Sequence, residues 1–121
     1  MRLIQLQGYS YDYRDRVLPL LLRVLTNCGA WIHERTSPSV NMVEITLEIE
    51  LRFILDLYAG LIASGLDLTR SNHLALTDLC TCRKHFLGKS EVKQLVTMRI
   101  EVSFLQEETL HSLLMTGASA A

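Results

Sequence analysis

The chain has little of what marks a disulfide scaffold, a membrane protein or a secreted protein. Its 121 residues include three cysteines, an odd number without framework spacing, which is typical of a reducing compartment. The longest apolar stretch, "VLPLLLRVL", contains Arg23 and is too short to span a bilayer. The first ten residues have no apolar run of the length that a signal peptide needs. We therefore expect a cytoplasmic protein that makes no contact with a membrane.

Charge of one sign and catalytic motifs are also lacking. The net charge is −1 and the basic residues are scattered, whereas binding to phosphates needs a concentrated basic surface, so we expect no nucleic-acid partner. The sequence has no nucleophile elbow, no HExxH, no phosphate-binding glycine loop and no dinucleotide fingerprint. We predict neither catalytic residues nor a cofactor.

What is present is the composition of one globular domain, since 49% of the residues are apolar and 21% are charged. We take residues 1–121 as a single domain with its core over about 2–104. A short terminal helix and a tail are expected over 105–121.

Apolar periodicity predicts the elements of this domain. Residues 43–51 and 96–104 alternate strictly between apolar and polar side chains, which indicates strands with one dry and one wet face. Residues 15–28 and 51–62 have helical period instead. Further strands are predicted over 2–9, 31–35 and 73–82, and a short helix over 106–115.

The resulting order of elements begins with βαββαβ. It predicts an α+β fold of the ferredoxin-like class, in which two helices cover one face of an antiparallel sheet. One extra C-terminal strand and the short terminal helix follow that unit.

Two segments carry a resemblance to a known family. "RDRVLPLLLRVLTNCGAWI" has an acidic residue near a helix start, a row of leucines and valines, and Gly-Ala-x-Ile opening a strand. It resembles the first helix and second strand of ACT domains, which are regulatory modules that bind amino acids or similar small effectors. "VEITLEIELRFILDLYAGLIASGLDL" is similar to the later strand and helix of that family. The similarity covers roughly residues 2–82, with Val17-Leu18 where ACT domains usually have a Pro-Gly pair.

The resemblance also implies a place for the effector. ACT domains usually bind it near the first loop and the following strand, often across a subunit interface. The positions that this implies here are Ser10, Asp12, Asn27, Gly29 and Ala30.

The wet face of the predicted sheet is a second candidate site. Alternation places Trp31, His33 and Arg35 on that face together with Glu44 and Glu48, and the last strand would add Arg99 and Glu101 if it joins the same sheet. A tryptophan beside arginine is typical of association surfaces. We predict a homodimer interface there, with a solvated face or a ligand cleft as the alternatives.

The segment "TDLCTCRKHF" brings two cysteines close together in the sequence. On a strand, Cys80 and Cys82 would be about 6.6 Å apart along the chain, whereas tetrahedral zinc needs its sulfurs about 3.8 Å apart. No metal site is therefore predicted.

These patterns favour a non-catalytic, small-molecule-binding or regulatory module that acts as a dimer. A protein-interaction or assembly subunit that uses the open sheet face is the first alternative. The second is a small dimeric ferredoxin-like enzyme in which His33, beside a glutamate, acts as acid and base.

Overall fold

The computed structural model describes residues 3–85 and 93–105, and shows an α+β chain with a five-stranded sheet and three helices. The strands are β1 (Leu3–Ser10), β2 (Trp31–Ser39), β3 (Met42–Glu50), β4 (Asp67–Leu68) and β5 (Leu95–Phe104). The helices are α1 (Arg14–Asn27), α2 (Ile54–Ala63) and α3 (Arg70–His85), and one 3-10 turn at Leu51–Phe53 leads into α2.

The last strand lies in the middle of the sheet. The strand order is β2-β3-β5-β1-β4, with β5 antiparallel to β3 and parallel to β1. The sheet is therefore mixed, and the prediction of an antiparallel sheet is wrong for the pair of β1 and β5. A physical reason is burial, because a strand with five large apolar side chains on one face buries more of them between two neighbours than at an edge.

All three helices cover the same face of the sheet. Alternate residues of β3 and β5 are buried in one core together with residues of the three helices, which confirms the predicted dry faces of 43–51 and 96–104. The buried apolar residues of the helices are Val17, Leu21, Leu25, Ile54, Leu57, Leu61, Leu76 and Leu79. The opposite face of the sheet has no helix over it among the described residues.

Glycines end the first two helices, as the sequence predicts. Gly29 has φ of +90° and Gly65 has φ of +88°, a left-handed conformation that costs little only in glycine. The Ala30 N–H donates to the Leu25 carbonyl at 3.1 Å, and the Leu66 N–H donates to the Leu61 carbonyl at 3.4 Å. These bonds close the helix ends and turn the chain back towards the sheet.

The predicted strand over 73–82 is wrong, because these residues belong to α3. The Thr69 hydroxyl accepts the Asn72 N–H at 3.2 Å, which caps the start of the helix. Asn72, Leu76 and Leu79 are buried at helical spacing, whereas Leu74, which fitted the alternation, is 56% exposed. The fourth strand is only the two residues of β4, and the helix and tail predicted over 106–121 lie outside the described residues.

Candidate functional site

The cleft between β1 and α1 contains part of the effector site that the ACT resemblance implies. Ser10 and Asp12 line a recess of about 370 Å³ there, beside Arg16. Their polar atoms are already engaged, since the Ser10 hydroxyl accepts the Asp12 N–H at 3.1 Å and Asp12 Oδ1 accepts the Tyr13 N–H at 2.7 Å. Asp12 Oδ1 also lies 3.9 Å from Arg16 Nη1. These groups hold the entry to α1.

The other three implied positions lie at the far end of α1. The helix has 14 residues, and at 1.5 Å per residue it separates Asp12 from Asn27 by about 21 Å. Gly29 and Ala30 follow that end, and Ala30 is buried in the core. One chain therefore does not bring the five implied effector residues together, because Ser10 and Asp12 precede the helix, whereas Asn27 ends it and the other two follow it.

The open sheet face brings β3, β5 and β1 side by side. Glu44 is opposite Glu101, and Thr46 is opposite Arg99. On the other side of β5, Gln5 is beside Arg99 and Gln7 is beside Glu101. The last strand thus adds Arg99 and Glu101 to this face, as the sequence analysis expected if it joined the sheet.

A bulge in β2 changes which of its side chains reach the open face. The register shifts between Ile32 and Glu34, so that Trp31 is opposite Glu48 whereas Arg35 is opposite Ile45. Since Ile45 is in the core, Arg35 lies on the helix-covered side, and its predicted place beside Trp31 is wrong. One extra residue moves every later side chain to the other face.

The other predicted interface residues do lie on the open face. Trp31 is 61% exposed there. His33 Nε2 lies 2.6 Å from Glu48 Oε1, and Arg99 Nε lies 3.3 Å from Glu44 Oε1. Partly exposed ion pairs of this kind contribute about 0–1 kcal/mol to stability. His33 does not line the recess at α1, nor the recess beside α3, nor the one on α2. The proposed acid–base role of His33 therefore gains no support from these recesses.

A polar recess of about 260 Å³ lies where the open face meets the start of α3. Its lining residues are Gln5, Leu6, Gln7, Thr69, Ser71, Asn72, Arg99 and Glu101. Asn72 forms its floor, since Oδ1 accepts the Gln7 N–H at 2.6 Å and Nδ2 donates to the Gln5 carbonyl at 3.1 Å. The Asn72 amide thus continues the ladder of β1 beyond the two residues of β4.

The charged groups of this recess keep hydrogen-bonding capacity. Glu44 binds Arg99 only through Nε, and no described residue bonds the two Nη groups of Arg99. No described residue pairs with the Glu101 carboxylate either, although Glu44 is directly opposite. The recess therefore offers donors for an anionic group and an acceptor for a cationic one, unlike the cleft at α1.

Two short signals in the sequence point to this recess. Gln5 and Gln7 alternate with Ile4 and Leu6, which marks the wet face of β1. "TRSN", at 69–72, has the threonine of a helix N-cap three residues before Asn72. The alternating leucines and cysteines that follow conceal this helix start.

Cys80 and Cys82 lie on a helix and not on a strand, and Cys28 lies in the turn after α1. Cys80 and Cys82 are two residues apart in α3 and so project about 200° apart around the helix axis. Burial raises the pKa of the Cys80 and Cys28 thiols, which keeps both protonated near neutral pH and weakens them as ligands and nucleophiles. Within residues 3–85 and 93–105, no group of three His, Cys, Asp or Glu side chains is placed to hold a metal ion.

None of the helices in the described ranges combines the length and the apolar character that crossing a membrane requires. Comparisons with protein-family models, with curated proteins and with solved structures found no match to this chain.

Proposed function

We propose that this chain is a non-catalytic binding module that holds a small polar molecule and acts as a homodimer. The observation that carries the proposal is the recess on the open face, where Arg99 and Glu101 keep unused hydrogen-bonding groups. The described residues that line the recess include no histidine or cysteine beside Thr69 and Ser71. Such a lining is suited to binding a small polar molecule.

The order of elements supports an ACT-like relation through a ferredoxin-like unit. β1, α1, β2, β3, α2 and β4 follow one another as βαββαβ, and β1 is parallel to β2 through the intervening strands. In this description β5 is a strand inserted between β1 and β3. An amino acid or a similar small effector is the ligand that this relation implies.

Trp31 supports the homodimer. It stands at the start of an edge strand, next to the ion pair of His33 and Glu48. A large apolar side chain that is 61% exposed on a polar face loses contact with water when a second copy covers it. We place the dimer contact at this end of the open face.

We expect the purified protein to elute with the mass of a dimer and Trp31→Ala to elute as a monomer.

A thermal-shift screen of amino acids, nucleotides and metal ions tests the binding of a small molecule. A ligand at a hundred times its dissociation constant adds about 2.7 kcal/mol to the free energy of unfolding. That raises the midpoint of a domain of this size by several degrees. In the elution experiment, Tyr11→Ala is the matched control for Trp31→Ala, since Tyr11 is an exposed aromatic residue that lies in the α1 cleft and away from the open face. The proposal is contradicted if the chain is a monomer at all concentrations, and likewise if no compound shifts the midpoint.

A role in binding another protein is the second candidate, and the outer face of α2 favours it. Leu55, Tyr58, Ala59 and Ile62 stand at i, i+3, i+4 and i+7 and line a shallow apolar depression that is open to solvent. Four residues at this spacing form the hole that receives a side chain from a facing helix. The outer face of a helix on a sheet is ordinarily polar, yet Leu55 and Ile62 are nearly half exposed.

This candidate predicts a helical partner that α2 holds. We expect Ala59→Glu to abolish co-purification of such a partner while it changes the free energy of unfolding by about 0.5 kcal/mol or less, because Ala59 is exposed. Asp56→Asn, also exposed on α2, is the control and should retain the partner. Equal recovery with Ala59→Glu and the unmodified chain would remove α2 as the binding face.

A further inference from the structure

We propose that the recess on the open face binds a small zwitterion whose two charges stand at opposite ends of a short chain, as in an ω-amino acid. Arg99 receives the carboxylate and Glu101 receives the ammonium group. The inference rests on the proposed binding of a small polar molecule, and it adds the place and the chemical class of that molecule. Every group it needs belongs to one chain.

Arg99 has the donors that a carboxylate needs. Glu44 Oε1 lies 3.3 Å from its Nε and so occupies only that side of the guanidinium group. The Nη groups then remain for a second acceptor, and a guanidinium binds a carboxylate by two parallel hydrogen bonds. The Arg99 side chain is 45% exposed, so that a ligand can reach it from solvent.

Glu101 is the natural partner of the ammonium group. Its carboxylate is directly opposite Glu44 on the neighbouring strand, and like charges in that position repel each other. Arg99 compensates Glu44, and no described residue compensates Glu101. A ligand cation at Glu101 therefore removes a repulsion in addition to forming its own hydrogen bond.

The spacing of the two residues along β5 favours a ligand whose charges are well separated. Arg99 and Glu101 are two residues apart on this strand, and their backbone positions are therefore about 6.6 Å apart. In an α-amino acid the two charged groups stand on adjacent carbons, whereas three or four methylene groups separate them by a length comparable to this backbone spacing. The neutral Gln5, Gln7 and Ser71 side chains beside them add hydrogen bonds without a competing charge.

The floor of the recess is rigid, which lowers the cost of binding. Asn72 ties α3 to the edge of β1 through bonds of 2.6 Å to Gln7 and 3.1 Å to Gln5. Because the recess is already formed in the free chain, little conformational entropy is lost on binding.

The test measures the affinity of the full-length protein for glycine, β-alanine, 4-aminobutanoate and 5-aminopentanoate by calorimetry and amide chemical shifts. We expect the tightest binding for the two longer compounds, with shifts at Gln5, Gln7 and Glu101. Arg99→Gln and Glu101→Gln should each weaken it at least tenfold. Glu34→Gln, which changes a carboxylate on β2, should leave it unchanged, and so should Trp31→Ala, because one chain completes the recess. A cooperative thermal transition of each variant establishes that it folds.

Butanoate and butylamine each carry only one of the two charges. The inference is overturned if either compound binds as tightly as 4-aminobutanoate, because then only one charge is recognised. It is also overturned if Arg99→Gln binds normally. If no zwitterion binds but another compound in the thermal-shift screen does, the inference fails and the proposed function stands. If nothing binds in either experiment, both fail.

Discussion

A chain that ends at residue 85 is expected to be unfolded in water, with no cooperative transition on heating or in urea. The reason is that β5 forms ladders with both β1 and β3, so its loss leaves the two halves of the sheet unpaired. The truncation also removes five buried side chains, Val96, Met98, Ile100, Val102 and Phe104. At about 1.5–3 kcal/mol for each, their burial is of the same order as the roughly 5–15 kcal/mol by which a domain is stable.

The matched control for this truncation is a chain that ends at residue 105, which retains every described element and should unfold cooperatively. Circular dichroism during urea titration distinguishes the two chains. A cooperative transition in the shorter chain would show that β1 and β3 can pair directly. The last strand would then be the addition to a four-stranded unit that the sequence predicts.

Replacing Asn72 with alanine is expected to lower the free energy of unfolding by about 2–6 kcal/mol. Asn72 is 8% exposed, and its amide satisfies both the N–H of Gln7 and the carbonyl of Gln5. Alanine leaves these two backbone groups without a partner, and each unsatisfied buried group costs about 1–3 kcal/mol. Urea denaturation of the variant and the unmodified chain measures the difference.

Two further variants separate the hydrogen bonds from other effects at Asn72. Ser71→Ala changes an exposed neighbour in the same helical turn and should alter stability by about 0.5 kcal/mol or less. Asn72→Asp keeps an acceptor for the Gln7 N–H but has no donor for the Gln5 carbonyl, so we expect it to be destabilised as well. A loss below about 0.5 kcal/mol for Asn72→Ala would mean that water replaces the amide at this edge.

The elements with one strong period were predictable from the sequence. Val43 to Ile49 and Val96 to Phe104 alternate without interruption, and the helical row of Val17 and Leu21 ends at a glycine that must be left-handed. The helix α3 was not predictable in the same way. Apolar and polar side chains alternate in part of this helix, as they would in a strand. The N-cap at Thr69 is recognisable only once the structure places Asn72 at the edge of β1.

The candidate site was also predictable only in part. The sequence identified a wet sheet face and named Arg99 and Glu101 on it, because side chains in a strand alternate whatever its neighbours are. It could not foresee the bulge at β2, which takes Arg35 off that face, since a single extra residue leaves the composition of the strand unchanged. Nor could it join Gln5 and Gln7 to Arg99, because that requires the position of β5.

By itself the sequence determined which face of each long strand is dry, where α1 and α2 end, and that the chain forms one α+β core. These properties follow from local periodicity and from backbone conformations that only glycine adopts readily. Only the tertiary structure decided that β5 enters between β1 and β3, and so which polar residues share a recess. Strand order depends on the total apolar area buried between segments that are distant in the sequence, and a local pattern contains no information about that area.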